Sequence, residues 1–385
     1  MQKIQFLTAG ESHGKGLLGI LEGIPAGLDI DEERITRQLS RRQLGYGRGK
    51  RMKIELDRVE IYCGVRHGKT LGSPIGLILP NLDWANWENT MSVSPGERAG
   101  KPVTLPRPGH ADLAGVQKFG FTDIRNVLER SSARETAMRV ALSAICRQLL
   151  ETFYIHIASR VTRIQTSTDL TLVSGNLSLA ELNLIADQSP VRCLDAAAGI
   201  QMIHAIDTAI QQGDSVGGEI QILASGLPYG LGTYTHWDKK LQARIAEAMM
   251  SVNALKSIEF GPAIEFSKKS GSETHDNIEW DGKTYTRPTN HAGGIEGGMS
   301  NTQRLDIRVV MKPIPTLIKP LSSVDILTKE SKLAHKERTD TCAVPAASIV
   351  AEGMLALVLA DALLEKFGGD SMDQLSEHIN ISAKW

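Results

Sequence analysis

The chain has 385 residues, a formal net charge of -1, 41% hydrophobic and 23% charged residues, a balance that excludes a disordered or fibrous protein and fits a soluble globular one. The near-zero charge supplies no overall field to hold a nucleic-acid backbone, so no nucleic-acid partner is expected and any anion site has to be local. Four scattered cysteines, Cys63, Cys146, Cys193 and Cys342, form no CxxC pair, which argues against a zinc site or a disulfide framework and points to a reducing compartment, the cytoplasm.

Met1 to Phe6 lacks the basic-then-apolar plan of a secretory signal. The first dense polar motif is Gly10-Glu11-Ser12-His13-Gly14. A histidine among glycines is either structural or a proton donor, because imidazole near neutral pH can protonate a developing anion. Next, Arg34, Arg37, Arg41, Arg42, Arg48, Lys50, Arg51 and Lys53 occur with no acidic residue among them. Such a run is either a solvated helix face or a pocket for a small polyanion, and its continuation into the glycine-rich loop Gly45-Tyr46-Gly47-Arg48-Gly49 favours the pocket.

A strand is predicted over Met52 to Ile61 and another over Ile75 to Leu79. Between them, Gly64-Val65-Arg66-His67-Gly68-Lys69-Thr70 has one residue too few between its glycines for a phosphate loop. Arg107-Pro108-Gly109-His110-Ala111-Asp112 sets a second histidine beside glycine and arginine. In Arg130-Ser131-Ser132-Ala133-Arg134-Glu135, Ser132 and Glu135 match a capping box, so a helix is predicted from Ser132 to about Thr152 with an anion-favouring N-terminus.

Val173 to Pro190 reads as a linker, Gly218 to Ala224 as a strand, Asp238 to Lys256 as a helix and Arg304 to Lys312 as a strand. A last helix is predicted from Pro345 to the Gly368-Gly369 cap. The stretch Ala343 to Leu364 is interrupted by Glu352 and Asp361, short of the ~20 uninterrupted apolar residues of a membrane span, so it reads as a buried helix with no membrane partner. No metal-ligand spacing and no dinucleotide fingerprint is present. The elements make a mixed α and β protein with no visible domain boundary.

These motifs carry a family resemblance. Thr8 to Gly14, Arg41-Arg42-Gln43, Gly64 to Gly68, Arg107 to Asp112, Arg130 to Thr136, Gly293 to Gly298 and Met311-Lys312-Pro313-Ile314-Pro315-Thr316 resemble, in order and over nearly the whole chain, the signatures of the chorismate synthase family. The resemblance implies an α+β fold, a single-domain β-α-β sandwich over residues 1–385 with antiparallel sheets between helices, assembled as a homotetramer. It implies a lyase that eliminates phosphate from 5-enolpyruvylshikimate 3-phosphate to give chorismate, using reduced FMN without net redox change. NADPH is a candidate reductant, and a separate flavin reductase the alternative. The competing expectation is an FMN-dependent oxidoreductase acting on a small polyanion.

By the same resemblance His13 and His110 divide two proton-transfer roles, to the departing phosphate and to the flavin, and Asp340 stands near flavin N5. Arg130, Ser131, Ser132, Asn253, Ala254, Gly298, Lys312, Pro313, Ile314, Pro315, Thr316 and Arg338 are carried over as flavin-binding positions, and Arg42, Arg48 and Arg134 as substrate or NADP contacts. The family often has proline after the aspartate, whereas here Thr341 follows Asp340.

Overall fold

The computed structural model describes residues 3–49, 56–95, 100–173, 175, 177–337 and 339–382. Lys50, Arg51 and Lys53 of the basic run, the first four residues of the strand predicted over Met52 to Ile61, and Arg338 therefore lie outside the described residues, and of the rest of that predicted strand only Glu60 and Ile61 are extended in a sheet.

Two larger antiparallel sheets carry the fold. The first is built from β1 (Gln5–Gly10), β2 (Gly16–Glu22), β3 (Glu60–Cys63) and β4 (Ile75–Pro80), in the order β1-β2-β4-β3. Its strands alternate as a one-sided sheet should: Leu17 and Leu21 of β2 are buried while Leu18 and Ile20 face outward. The second contains β5 (His156–Ile164), β6 (Ser167–Thr168), β7 (Gly218–Ser225), β8 (Leu255–Phe260) and β9 (Leu305–Met311), in the order β8-β9-β7-β5-β6. Here β7 is buried on both faces from Ile220 to Ala224, because helices cover both sides.

Ten helices occur among the described residues: α1 (Glu32–Gln43), α2 (Asp112–Phe119), α3 (Arg125–Ser131), α4 (Thr136–Thr152), α5 (Leu179–Gln188), α6 (Ala196–Gln212), α7 (Leu241–Met250), α8 (Ala263–Phe266), α9 (Val344–Phe367) and α10 (Met372–Ser382). The first sheet packs on α4, α4 packs on α9, and α9 packs on β5 and β7. On its far face the second sheet meets α5, where Leu179 and Leu182 cluster with Ala158 and Leu223. The result is the α+β sandwich expected. Its second sheet lies between helices, and α4 and α9 are themselves enclosed by the two sheets.

Close approach of α4 to the first sheet depends on Gly19, where an added Cβ would sit 2.5 Å from Met138 Sδ. Helix α9 is apolar on every side and passes by length and composition for a membrane span, yet 89% of its most apolar window is buried in this core.

The structure corrects several sequence expectations. Val173 to Pro190 is not a linker: Ser178 and Glu181 form a capping box that starts α5. The helix predicted over Asp238 to Lys256 ends at Met250, because Ala254 adopts φ 67° and Leu255, the first residue of β8, pairs with Met311 of β9. Ser132 caps only a 3-10 turn over Ala133–Glu135 before α4 begins at Thr136. Glu135 does not close the box but instead accepts from Thr8 Oγ1 at 2.7 Å and Arg139 Nε at 2.9 Å.

The basic run divides. Arg41 leaves for the core, where it meets the fully buried Glu352 of α9 at 2.7 Å together with Arg147 and Arg192. Burial raises the Glu352 carboxyl, but the charges of Arg41 and Arg147 overcome this and hold it well below the usual carboxylate range. Arg34 pairs with Glu151. Of the described residues of this run, only Arg42 and Arg48 reach the large cavity.

Candidate active site

A cavity of about 620 Å³ opens where α1, the α3–α4 junction, the start of β8, the end of β9 and the segment before α9 converge. It is lined by His13, Arg42, Arg48, Arg107, His110, Ser131, Ser132, Arg134, Asn253, Ala254, Lys312, Ile314, Pro315, Thr316 and Asp340. Val252, Leu255, Met311, Ala346, Ala347 and Val350 supply its apolar lining.

The residues arrive from positions up to some three hundred apart, and each is fixed by its own contacts. Arg42, 4% exposed, donates from Nε to Thr136 Oγ1 at 3.0 Å and from Nη2 to the Ala133 carbonyl at 2.8 Å. Burial, then the neighbouring Arg48 charge, lowers its pKa to about 10. Arg134 donates to Asp57 at 2.5 Å and to Asn81 at 3.0 Å. Arg48 pairs with Asp340 at 2.8 Å. Thr341 donates its backbone N–H to the Gly47 carbonyl at 2.8 Å, a bond that a proline after Asp340 could not make.

Each histidine is held by a buried carboxylate. His13 Nδ1 lies 3.0 Å from both oxygens of Glu129, and His110 Nδ1 lies 2.6 Å from Asp112. Asp112 also accepts from the backbone N–H, Nε and Nη2 of Arg107 at 3.0, 2.8 and 3.0 Å. Burial alone would raise the Asp112 carboxyl; hydrogen bonds from His110 and Arg107, and their charges, hold it well below the usual range.

Among the sequence-predicted positions, Arg130, Pro313 and Gly298 stand outside the lining. Arg130 donates to the Thr8 carbonyl at 2.8 Å, tying α3 to β1. Gly298 accepts the Leu241 N–H at the start of α7 at 2.8 Å. Glu337 and Asp340 also line the cavity, where cations outnumber them. Arg107 lies within a quoted motif, whereas Glu129 gave no local signal because its partner His13 is 116 positions away.

The model of the family described as chorismate synthase matches residues 4–364. The chain belongs to the chorismate synthase family. It is similar to the chorismate synthase of a Geobacillus species, 51% identical over 380 residues and covering 98% of this chain and 97% of that protein. It is also similar to chorismate synthase 2 of Bacillus cereus, 52% identical with 98% and 97% covered, and to the Listeria monocytogenes chorismate synthase, 50% identical with 98% and 97% covered. A solved structure titled Crystal Structure of Chorismate Synthase superposes with a TM-score of 0.80 at 40% identity, covering 99% of this chain and 97% of that one. Membership makes the protein an enzyme, a carbon–oxygen lyase that acts on a small molecule.

Proposed function

We propose that this chain eliminates phosphate from 5-enolpyruvylshikimate 3-phosphate to give chorismate, with loss of a ring hydrogen and no net redox change. The observation that carries the reading is the pairing, in one cavity, of Arg42, Arg48, Arg107 and Arg134 with two carboxylate-held histidines. A substrate bearing two carboxylates and a phosphate needs several fixed cations, and guanidinium forks suit both groups. A departing phosphate needs a proton donor, and His13 lines the cavity to supply it, with His110 as the second proton-handling group.

The cavity also fits reduced FMN: the apolar lining of Val252, Leu255 and Ala347 suits a flat ring system, while Asn253, Ser131, Ser132, Lys312 and Thr316 offer polar contacts. When bound, this cofactor would supply electron density that lets an unactivated hydrogen leave. Around it, Asp340 is assigned to proton handling, and Arg42 and Arg48 to orienting substrate. Arg130, Pro313 and Gly298, outside the lining, and Arg338, outside the described residues, remain flavin-binding proposals.

We further infer a single domain over residues 1–385, supported by one apolar core that runs from Ile4 to Leu375. A cytoplasmic homotetramer fits Leu7, Leu18 and Ile20, which are 67, 51 and 48% exposed on the outer face of the first sheet. Flavin reduction is assigned to a separate reductase, with NADPH used by this chain as the alternative. Anaerobic assay with chemically reduced FMN, with and without NADPH, tests these assignments. Chorismate should form without NADPH; none formed under either condition would overturn the function, and formation from oxidised FMN plus NADPH alone would overturn the reductase assignment.

A further inference from the structure

The Glu129 side chain, 2% exposed, lies behind His13 and does not line the cavity. Its carboxylate accepts the His13 backbone N–H at 2.8 Å, approaches His13 Nδ1 at 3.0 Å through both oxygens, and accepts Arg125 Nη1 at 2.9 Å. One face of the imidazole is covered by the Trp87 indole, with ring centroids 3.8 Å apart and planes at 25°. Arg125 stands 5.1 Å over that indole and 3.7 Å from Glu337, which is in turn 3.0 Å from His335. The ring's position, tilt and one nitrogen are thus set by three side chains that are themselves outside the cavity lining.

Burial alone would raise the Glu129 carboxyl, but hydrogen bonds from His13 and Arg125 and the His13 charge hold it below its ordinary value. An ionised carboxylate only accepts hydrogen bonds, so Nδ1 of His13 has to be the donor. A simple structural tie between the β1–β2 turn and α3 would use the backbone bond alone and would not need both oxygens turned to the ring.

We propose that Glu129 is a positioning residue that keeps the proton on His13 Nδ1, so that proton exchange with a ligand in the cavity passes through Nε2. The proposal rests on the reading of His13 as proton donor to the departing phosphate. In an aspartate-held imidazole of another enzyme class, the carboxylate-to-amide change yields the wrong tautomer and a large loss of turnover.

The test is nitrogen NMR of ring-labelled histidine in the full-length protein without ligands, with His13 assigned from the signals lost in His13→Ala. The wild type should show a protonated Nδ1 at mildly alkaline pH, and Glu129→Gln should populate the Nε2–H form. Assayed with reduced FMN, Glu129→Gln should lower kcat at least ~100-fold with KM changed less than about threefold, and Glu129→Asp should recover much of the loss. A wild-type ring protonated on Nε2 overturns the proposal even if the variant fails to fold. So does a folded Glu129→Gln with unchanged tautomer and turnover. Full turnover by His13→Ala would instead sink the reading of His13, which the tautomer result leaves separately decidable.

Discussion

Asp340 accepts the backbone N–H of Gly49 at 2.6 Å across 291 positions of sequence. The same carboxylate takes Arg48 at 2.8 Å, so this side chain adds to the Thr341–Gly47 backbone bond in closing the loop after α1 against the segment before α9. Asp340→Asn keeps an acceptor for Gly49 but removes the charge facing Arg48. We expect a melting temperature close to the parent's, retained binding of reduced FMN and substrate, and chorismate release slowed at least ~100-fold, the low end for a positioned acid or base. Anaerobic single-turnover absorbance separates binding from release; parental turnover would remove Asp340 from the chemistry.

Arg42 and Arg48 look alike in sequence, yet the structure separates them. Arg42 is buried with two hydrogen bonds inside the fold, so Arg42→Ala should cost roughly 1.5–3 kcal/mol of unfolding free energy as well as substrate affinity. Arg48→Ala should weaken substrate binding about tenfold or more with a smaller change in stability, because its side chain is less buried, 11% exposed against 5% for Arg42. Chemical denaturation alongside isothermal titration checks both, and equal stability losses would contradict the distinction.

Acid stability should report the Asp112 cluster. Its carboxyl is depressed in the folded chain relative to an unfolded value of ~3.9, so the unfolded chain binds the proton first as pH falls. The contribution is complete above about pH 5 and is lost as pH drops below that toward the folded-state value. The stability gap between the parent and Asp112→Asn, measured by urea unfolding, should therefore narrow between about pH 5 and pH 3. A gap that stays constant would argue against an ionised Asp112.

Since flavin and substrate are assigned to one cavity, each should tighten the other's binding by the same factor. Flavin fluorescence titrated with and without substrate should show affinity rising at least fivefold; identical affinities would mean separate pockets.

Local pattern in the sequence carried α9, β4, β7 and β9, where long apolar runs and Gly or Pro boundaries agree with the packing they enter. It misled at α5, where the buried stripe of Leu179, Leu182 and Ala186 is blurred by the exposed Leu184 and Ile185, and at Ala254, where the pairing of β8 with β9 overrides helical spacing. The basic run announced an anion pocket but not its partition, since Arg41 turns inward only because Glu352 waits on a helix 311 positions later. The same long-range geometry concealed the Glu129–His13 and Asp340–Gly49 contacts, while the motif residues His13, His110 and Arg134 were readable as short signatures.

The most direct measurement counts phosphate and chorismate against flavin in an anaerobic reaction holding far less reduced FMN than 5-enolpyruvylshikimate 3-phosphate. Elimination without net redox change predicts equal amounts of phosphate and chorismate, many turnovers per flavin, and flavin still reduced at the end. One product per flavin, with the flavin left oxidised, would contradict it and establish a net oxidoreductase instead.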